Sequence, residues 1–283
     1  MGDVGTVSVG DLNDSVPQEQ VDLGPVGKDV YMLTGTGVES NRLNQQHQLL
    51  KKTVGYLLHP EVQEHITTSS SIADIGTGTG IVVLDLEKSL PSSTQLHGNV
   101  SLRVYDAKQP PCKELRNKYD VIHLRYLNSG MGEEDWEVVT QNIFTMLKPG
   151  GYIQWLESDF GGARGLRANP FTTAHVHEEI HRIMRPQLKH WSFAPRELED
   201  ILLNQGFQDV RQEVLSTDRI PELRRAWSLI EIGAMEGFFP GLRHGFSEGE
   251  CREKLNAMKE EAQGDVYVRW NIHVWIGRKP LPN

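Results

Sequence analysis

The sequence contains few of the features that mark secreted, membrane-spanning or nucleic-acid-coating proteins. Two cysteines, Cys112 and Cys251, occur among the 283 residues, which excludes a disulfide framework or a cysteine-rich zinc module and favours a reducing compartment. No apolar run approaches the roughly 18 residues that span a bilayer. The first ten residues carry neither the basic nor the apolar region of a signal peptide. We therefore expect a cytoplasmic protein without a membrane partner.

Basic residues are also scarce relative to acidic ones. The chain has 29 Lys and Arg against 38 Asp and Glu, a formal charge of −9. Because a surface of this sign repels phosphate backbones, we expect no nucleic-acid partner. No repeat of 20–50 residues is visible, which excludes solenoids and propellers. With 38% hydrophobic residues, the chain has enough apolar material for one large domain or two small ones.

The hydrophobic patterns predict alternating strands and helices. Apolar residues at three- and four-residue steps predict a helix over Glu39–His59. A buried strand over Ile72–Ile75, a glycine turn and a helix over Ile81–Leu90 predict the opening of a doubly wound α/β sheet. Further predicted strands are Val100–Tyr105, Tyr119–Leu124, Tyr152–Leu156, Gly206–Leu215 and Val266–Ile276, and further predicted helices are Asp135–Leu147, His175–Met184, Pro195–Gln205 and Pro221–Glu236.

The glycine turn after the first buried strand carries the strongest chemical signal. Gly76 and Gly78 permit a tight turn and close contact between backbone and ligand, and Gly80 lets the following helix pack on the strand. Asp74 stands two residues before the first glycine, where a dinucleotide-binding fold has a small apolar residue. An acid there suits a ligand that carries a cation or an amine.

The segment Asp74–Gly80 resembles motif I of class I S-adenosylmethionine-dependent methyltransferases. Segments that match this family in the same order are Val104–Ala107, Tyr119–Arg125 and Leu147–Tyr152. Residues 39–47, Gln154-Trp155 and residues 266–270 are similar to fungal secondary-metabolism methyltransferases, which include regulators of secondary metabolism and tailoring enzymes. The resemblance implies a Rossmann-like sheet with N-terminal helices and a helical lid insertion, S-adenosylmethionine as cofactor, and methyl transfer to a small molecule.

The resemblance also implies roles for individual residues. Asp74, Gly76, Gly78 and Gly80 would line the methionine end of the cofactor, and Asp106 would accept a hydrogen bond from the adenine amine with Ala107 beside it. His123 and Arg125 share one face at the carboxyl end of a strand, where α/β sheets bind ligands. Arg125 is assigned to the cofactor, and His123 or Glu157 is the candidate base for the acceptor's proton.

These patterns divide the chain into four parts: a disordered tail (residues 1–28), an N-terminal helical segment (29–71), the cofactor-binding core (72–160), and a helical lid with the final strands (161–283). Trp191, Trp227, Phe238 and Phe239 fall in the last part. Aromatic residues on helices pack in a core or line an aromatic substrate site, and the sequence leaves both open.

One element of the family pattern is absent. Relatives have a second strand that ends in an acid for the ribose hydroxyls, followed by a crossover helix. Here no Asp or Glu lies between Lys88 and Asp106, and a parallel crossover needs about 10–12 residues that this stretch lacks. We expect a shortened sheet edge or an antiparallel hairpin over Leu96–Leu102. The gap supports an alternative function, a non-methylating protein that binds and steers a pathway intermediate.

A zinc-binding pattern is the third possibility. The stretch from His177 to His181 reads H-E-x-x-H, which on a helix places two histidines on one face, and Glu197 or Glu199 could supply a third ligand. The glycine and histidine of the extended motif are replaced by Met184 and Gln187. We therefore favour a solvated lid helix and expect no metal.

Overall fold

The chain forms a doubly wound α/β fold in the computed structural model, which describes residues 5–9, 37–89, 100–242 and 245–282. The helices in these ranges are α1 (Gly37–Val54), α2 (Pro60–Glu64), α3 (Ile81–Ser89), α4 (Asp135–Met146), α5 (His175–Met184), α6 (Ala194–Gln205), α7 (Arg224–Phe238) and α8 (Glu248–Gln263). The strands are β1 (Gly5–Val9), β2 (Ile72–Ile75), β3 (Val100–Val104), β4 (Tyr119–Arg125), β5 (Leu147–Ser158), β6 (Arg164–Arg167), β7 (Gln208–Ser216), β8 (Val266–Arg269) and β9 (Asn271–Arg278).

Seven strands form one sheet in the order β3-β1-β2-β4-β5-β9-β7, and β6 pairs with β8 in a separate antiparallel pair. The central strands β2, β4 and β5 are parallel, and β9 runs antiparallel to both β5 and β7. Because parallel strands end at the same edge of a sheet, the segments that follow β2 and β4 meet there. The predicted fold class is confirmed.

The alternation of side chains along β4 explains the helices on both faces of the sheet. Val121 packs in a cluster with residues of α2 and α3, whereas Ile122 and Leu124 pack in the cluster that contains α4 and α6. Successive residues of a strand point to opposite faces, so a strand that is apolar on both sides needs a helical layer on each. All three side chains are at most 1% exposed.

The edge of the sheet beside β2 differs from the prediction. Residues Gly5–Val9, placed by the sequence in a disordered tail, form strand β1, which lies between β2 and β3 and is antiparallel to both. An uncovered edge of β2 would leave backbone N–H and C=O groups unpaired, and β1 pairs them. The strand predicted from Val100 is confirmed as β3. The predicted turn at Gly98-Asn99 and the rest of the predicted tail lie outside the described residues.

The first predicted helix is two helices. α1 ends at Val54, because Gly55 adopts the left-handed conformation with φ of +95°, which favours glycine. Pro60 then occupies the first turn of α2, and the ring of His59 caps that helix by accepting a hydrogen bond from the backbone N–H of Glu61 at 3.2 Å. Pro60 therefore begins a helix where the sequence predicted an end.

Helices α5, α7 and α8 share a core of their own, separate from the sheet layers. Its members include Ile180, Met184, Ile232, Met235, Leu255 and Met258. The hydrophobic patterns did not identify α8, although Ser247 and Glu250 form the reciprocal side-chain cap that marks a helix start. The single strand predicted over 266–276 is instead β8 and β9. Within the described ranges, every helix is too short or too polar to cross a membrane.

Candidate functional site

A cavity lies at the carboxyl ends of β2 and β4, and the empty space in it and at its mouth, open solvent included, is about 1060 Å³. On the sheet side it is lined by the glycine turn, by α1 and by the segment after β4: Gly76, Thr77, Gly78, Thr79, Arg42, Leu43, Gln46, Arg125, Tyr126, Asn128 and Ser129. This is the position at which open α/β sheets bind ligands.

The opposite wall of the cavity comes from the helical part of the chain. Its residues are Phe160, Gly161, Ala163, His181, Met184, Arg185, Leu188, Trp191, Glu231, Ala234, Met235 and Phe238. The rings of Trp191 and Phe238 lie 5.2 Å apart in an edge-to-face contact. Trp227 and Phe239 do not line the cavity and are fully buried in helix packing. Two of the four aromatic residues left open by the sequence thus form walls and two form core.

The glycine turn has the backbone geometry predicted for it. Gly76 and Gly78 have φ angles of +73° and +56°, a region that L side chains rarely adopt. The hydroxyl of Thr79 donates a hydrogen bond to the side-chain oxygen of Asn44 at 2.8 Å, which ties the turn to α1. Gly80 does not line the cavity and directly precedes α3.

Asp74 and His123 form a buried pair on the adjacent strands β2 and β4, close to the cavity but outside its lining. The strand register places Asp74 directly beside His123, and His123 Nδ1 lies 2.7 Å from Asp74 Oδ1. Both residues are at most 2% exposed, and neither lines the cavity. His123 therefore does not reach the space in which an acceptor would bind, which removes the geometric basis for its predicted role as the base.

Arg125 does line the cavity, as predicted for a ligand-binding residue. Its Nη1 donates a hydrogen bond to His47 Nδ1 at 3.0 Å, so the hydrogen of the His47 ring sits on Nε2, which donates to Asp85 Oδ2 at 2.8 Å. Burial lowers the pKa of His47, in keeping with a neutral ring. His47 thus brings no negative charge to Arg125, whose pKa is lowered by burial and raised by the nearby Asp74 carboxylate, with burial the larger effect.

Glu157, the second candidate base, is also held away from the cavity. It is fully buried, and its Oε1 accepts hydrogen bonds from the backbone N–H of Leu127 at 2.8 Å and from the Trp155 indole at 2.9 Å. These bonds fix the backbone that precedes Asn128 and Ser129, which line the cavity. Burial raises the pKa of Glu157 to about 8. Glu157 thus supports the wall and does not reach the space beyond it.

The raised pKa of Glu157 predicts a loss of stability with rising pH. The folded state keeps the Glu157 carboxyl protonated up to about pH 8, whereas the unfolded chain ionises it near the ordinary pKa of 4.5. The contribution of this proton to the free energy of unfolding is therefore complete below pH 4.5 and is lost as pH rises from there through 8. Urea unfolding at several pH values should show a slope of up to about 1.4 kcal/mol per pH unit in this window. Glu157→Gln, which is neutral at every pH, should remove that slope, and an unchanged slope would contradict the assignment.

Asp106 and Ala107 lie beyond the cavity as it stands. Asp106 Oδ1 accepts a hydrogen bond from the backbone N–H of Lys108 at 3.0 Å, and the carbonyl of Ala107 accepts one from Asn142 Nδ2 at 2.8 Å. Neither residue lines the cavity. They follow β3, which β1 separates from β2, and their predicted contact with adenine stays a prediction.

Sequence patterns missed several residues of the site. Arg42 and Gln46 belong to the segment that carries the fungal resemblance, yet no role was assigned to them. Arg42 holds Glu39 through two contacts of 2.6 and 2.8 Å. Tyr126 lines the cavity with φ of +57°, a strained conformation for a bulky residue that is typical of functional sites. A positive φ at tyrosine leaves no mark in the sequence.

The H-E-x-x-H residues pair with carboxylates of other helices. His177 Nδ1 lies 2.6 Å from Glu261 Oε2 on α8, and His181 Nε2 lies 3.0 Å from Glu231 Oε1 on α7. The two proposed third ligands, on α6, are exposed. Across the ranges that the structure describes, no group of three or more metal-ligating side chains occurs. Each histidine thus joins α5 to a neighbouring helix.

Comparison with known protein families gives a match to a family model. A family model described as a methyltransferase domain matches residues 44–212. This range contains the glycine turn and Arg125 and ends before α7, which carries Glu231.

The chain is also similar to individual proteins, among them two related sequences and one solved structure. Methyltransferase grgD from a Penicillium species is 31% identical over 184 residues, which cover 57% of this chain and 62% of that protein, less than two thirds of its length. Secondary metabolism regulator laeA from Fusarium oxysporum f. sp. lycopersici is 29% identical over 252 residues, 76% of this chain and 77% of that protein. Phosphoethanolamine N-methyltransferase 2 from Haemonchus contortus, solved with S-adenosyl-L-methionine, has a TM-score of 0.43 at 15% identity, and the match covers 87% of this chain and 57% of that one.

Proposed function

Because that family model matches more than half of its residues, the chain belongs to the methyltransferase-domain family, and we propose that it transfers the methyl group of S-adenosylmethionine to a small molecule of secondary metabolism. One observation carries this proposal: a single cavity joins the glycine turn after β2 to the helical wall, to which α5 and α7 contribute. Direct transfer requires that cofactor and acceptor share one space, since catalysis of this kind rests on alignment.

Two buried polar atoms at the glycine turn support a cofactor with an amino group there: Thr77 lines the cavity, and Asp74 lies behind the lining residues at the end of β2. Asp74 Oδ2 and Thr77 Oγ1 are buried, and neither has a hydrogen-bond partner among the described residues. Buried polar atoms without partners are rare, and a ligand is one of the groups that satisfy them. Gly78 is exposed and lines the cavity, so its backbone is accessible to a ligand at this point. When bound, S-adenosylmethionine would supply an electrophilic methyl group on a sulfonium sulfur.

Arg125 is the proposed partner of the cofactor's carboxylate. Among the described residues its guanidinium hydrogen-bonds the neutral His47 and forms no ion pair, whereas Arg42, the other arginine on the sheet side of the cavity, already holds a glutamate. The hydrogen bond to His47 holds the Arg125 guanidinium in place. A guanidinium that is already positioned binds a carboxylate with little loss of rotamer entropy. The helical wall would exclude water from the reacting atoms.

The remaining assignments rest on composition and chemistry. Apolar and aromatic side chains on the helical wall suit a small organic acceptor. The charge of −9 disfavours a nucleic-acid substrate. We place the reaction in the cytoplasm, in keeping with the low cysteine content.

Binding of S-adenosylmethionine is expected, and it should be weak. The stretch between Lys88 and Asp106 has no acid for the ribose hydroxyls, and a hydrogen bond to a charged group contributes about 1.5–3 kcal/mol, or roughly 10–150-fold in affinity. Isothermal titration of the 283-residue chain should give a dissociation constant in the high micromolar range. Since such a contact forms equally in the ground and transition states, its loss should raise the KM for the cofactor more than it lowers kcat.

A matched pair of ligands tests the missing contact itself. S-adenosylhomocysteine and its 2′-deoxyribose analogue should bind with affinities within about twofold of each other, because no carboxylate distinguishes them. Low-micromolar binding together with strong discrimination against the deoxy analogue would show that another residue holds the ribose. Either result leaves the methyltransferase proposal standing.

The same titration decides the second candidate function. The missing ribose acid, together with the position of Asp106 and Ala107 outside the cavity, favours a protein that binds a pathway intermediate without methylating it. No binding of S-adenosylmethionine at millimolar concentration would overturn methyl transfer and support this candidate. Saturable binding, followed by release of S-adenosylhomocysteine when an acceptor is added, would establish methyl transfer.

A further inference from the structure

A histidine–glutamate pair lies at the helical end of the cavity. His181 Nε2 of α5 is 3.0 Å from Glu231 Oε1 of α7, and both residues line the cavity. Their side chains are 5% exposed. His181 Nδ1 and Glu231 Oε2 are buried, and neither has a hydrogen-bond partner among the described residues. The pair therefore presents two unsatisfied polar atoms in a mainly apolar wall, which also carries Arg185 and the unpartnered indole N–H of Trp191.

The chemistry of the two groups fixes the hydrogen of the ring. A carboxylate can only accept hydrogen bonds, so the ring hydrogen of His181 lies on Nε2 and points at Glu231 Oε1. In a neutral imidazole the other nitrogen, Nδ1, then carries a lone pair and can accept a proton. An acidic residue that orients a histidine in this way is the arrangement that general bases use in many enzymes.

The surroundings of the pair define what can bind beside it. The rest of the helical wall is mainly apolar and carries one charged side chain, Arg185; its large apolar and aromatic residues are Met184, Leu188, Trp191, Met235 and Phe238. Such side chains favour a flat apolar molecule, and leaving the two polar atoms without a partner is costly. The molecule that fits best is aromatic or similarly flat and carries a hydroxyl or an amine.

Resting on the proposed function, we propose that His181 accepts, through Nδ1, the proton of the hydroxyl or amine that receives the methyl group, and that Glu231 is the positioning residue that holds the ring. The acceptor's heteroatom forms the bond to the methyl carbon with its lone pair, the carbon–sulfur bond breaks with its electrons staying on sulfur, and the proton passes to Nδ1. Glu231 balances the charge that the ring gains. The acceptor class is thus a flat apolar molecule with one ionisable hydroxyl or amine.

A second pair on the same helix provides the control. His177 Nδ1 lies 2.6 Å from Glu261 Oε2, but His177 is fully buried and does not line the cavity. Glu261 also accepts hydrogen bonds from the backbone N–H groups of Val176 and His177 at 3.0 and 3.1 Å. Glu231→Gln and Glu261→Gln are therefore the same change in two pairs, of which one faces the cavity.

The binding test uses two probes of nearly equal size, 2-naphthol and 2-fluoronaphthalene, and no cofactor. The intact chain should bind 2-naphthol roughly tenfold more tightly, from one additional hydrogen bond. His181→Phe/Glu231→Leu, which removes both polar partners and leaves no unpaired buried charge, should bring the two affinities within about twofold. Equal affinities in the intact chain, or no binding of either probe, would overturn the proposal.

A spectroscopic test separates the roles of the two residues. Histidine-labelled protein should show ¹⁵N resonances for His181 with Nε2 protonated and Nδ1 unprotonated, and 2-naphthol should shift the Nδ1 signal. Glu231→Gln should weaken this tautomer preference, whereas Glu261→Gln should leave the His181 signals unchanged. A hydrogen on Nδ1 of His181, or an Nδ1 chemical shift that does not change when 2-naphthol is added, would overturn the proposal. Because neither test contains S-adenosylmethionine, their failure is distinct from failure of the cofactor titration.

Discussion

Gly78→Val is expected to abolish binding of S-adenosylmethionine while the fold persists. Gly78 lines the cavity with φ of +56°, and a left-handed backbone costs an L residue about 1–2 kcal/mol, more for a β-branched one. A Cβ at this position would meet Leu43 Cδ1 at 3.5 Å, an ordinary contact, so the fold can accommodate it. A branched side chain would instead occupy the space in which backbone must contact the ligand.

The measurement is isothermal titration of the variant with S-adenosylmethionine, beside a thermal melt followed by circular dichroism. Gly241→Val is the matched control, because Gly241 is exposed and lies outside the cavity, and a Cβ added there would meet no atom within 4 Å. The control should bind the cofactor like the unchanged chain. Binding by Gly78→Val at the unchanged affinity would show that the turn does not contact the cofactor.

The parts of the fold and site that local patterns encode could be predicted from the sequence. The buried run over Ile72–Ile75 and the glycines after it identify β2 and the turn without reference to any other segment. The two-residue spacing of His123 and Arg125 correctly placed them on one strand, and Arg125 lines the cavity. The bounds of α5 followed from its amphipathic pattern, His175–Met184.

Contacts between distant segments could not be predicted in the same way. The sequence identifies β2 and β4 but not their register, which sets Asp74 beside His123 and so withdraws His123 from the cavity. Likewise the H-E-x-x-H pattern names His181, whereas its partner Glu231 lies 50 residues further along the chain. Strand β1 arises because β2 would otherwise have a free edge, a requirement that no local pattern of residues 5–9 expresses.

The buried pair that register creates has a large expected effect on stability. Asp74→Ala would leave the buried Nδ1 of His123 without its hydrogen-bond partner, and an unsatisfied buried polar group costs about 1–3 kcal/mol. We therefore expect urea unfolding of Asp74→Ala to show a loss of about 1–3 kcal/mol in the free energy of unfolding. The carboxylate that the sequence assigns to the cofactor thus also holds β2 against β4.

The control removes a carboxylate from an exposed pair. Glu248→Ala breaks the contact of 3.2 Å with Arg252, in which both side chains are largely exposed, and should change the unfolding free energy little. In Asp74→Ala/His123→Leu no buried polar partner is left over, so the double variant should lose less stability than the sum of Asp74→Ala and His123→Leu. Additive losses, or an Asp74→Ala chain as stable as the unchanged one, would show that the pair contributes nothing to the fold. In the second case Asp74 would act on the cofactor alone, and Asp74→Ala should lose S-adenosylmethionine binding at full stability.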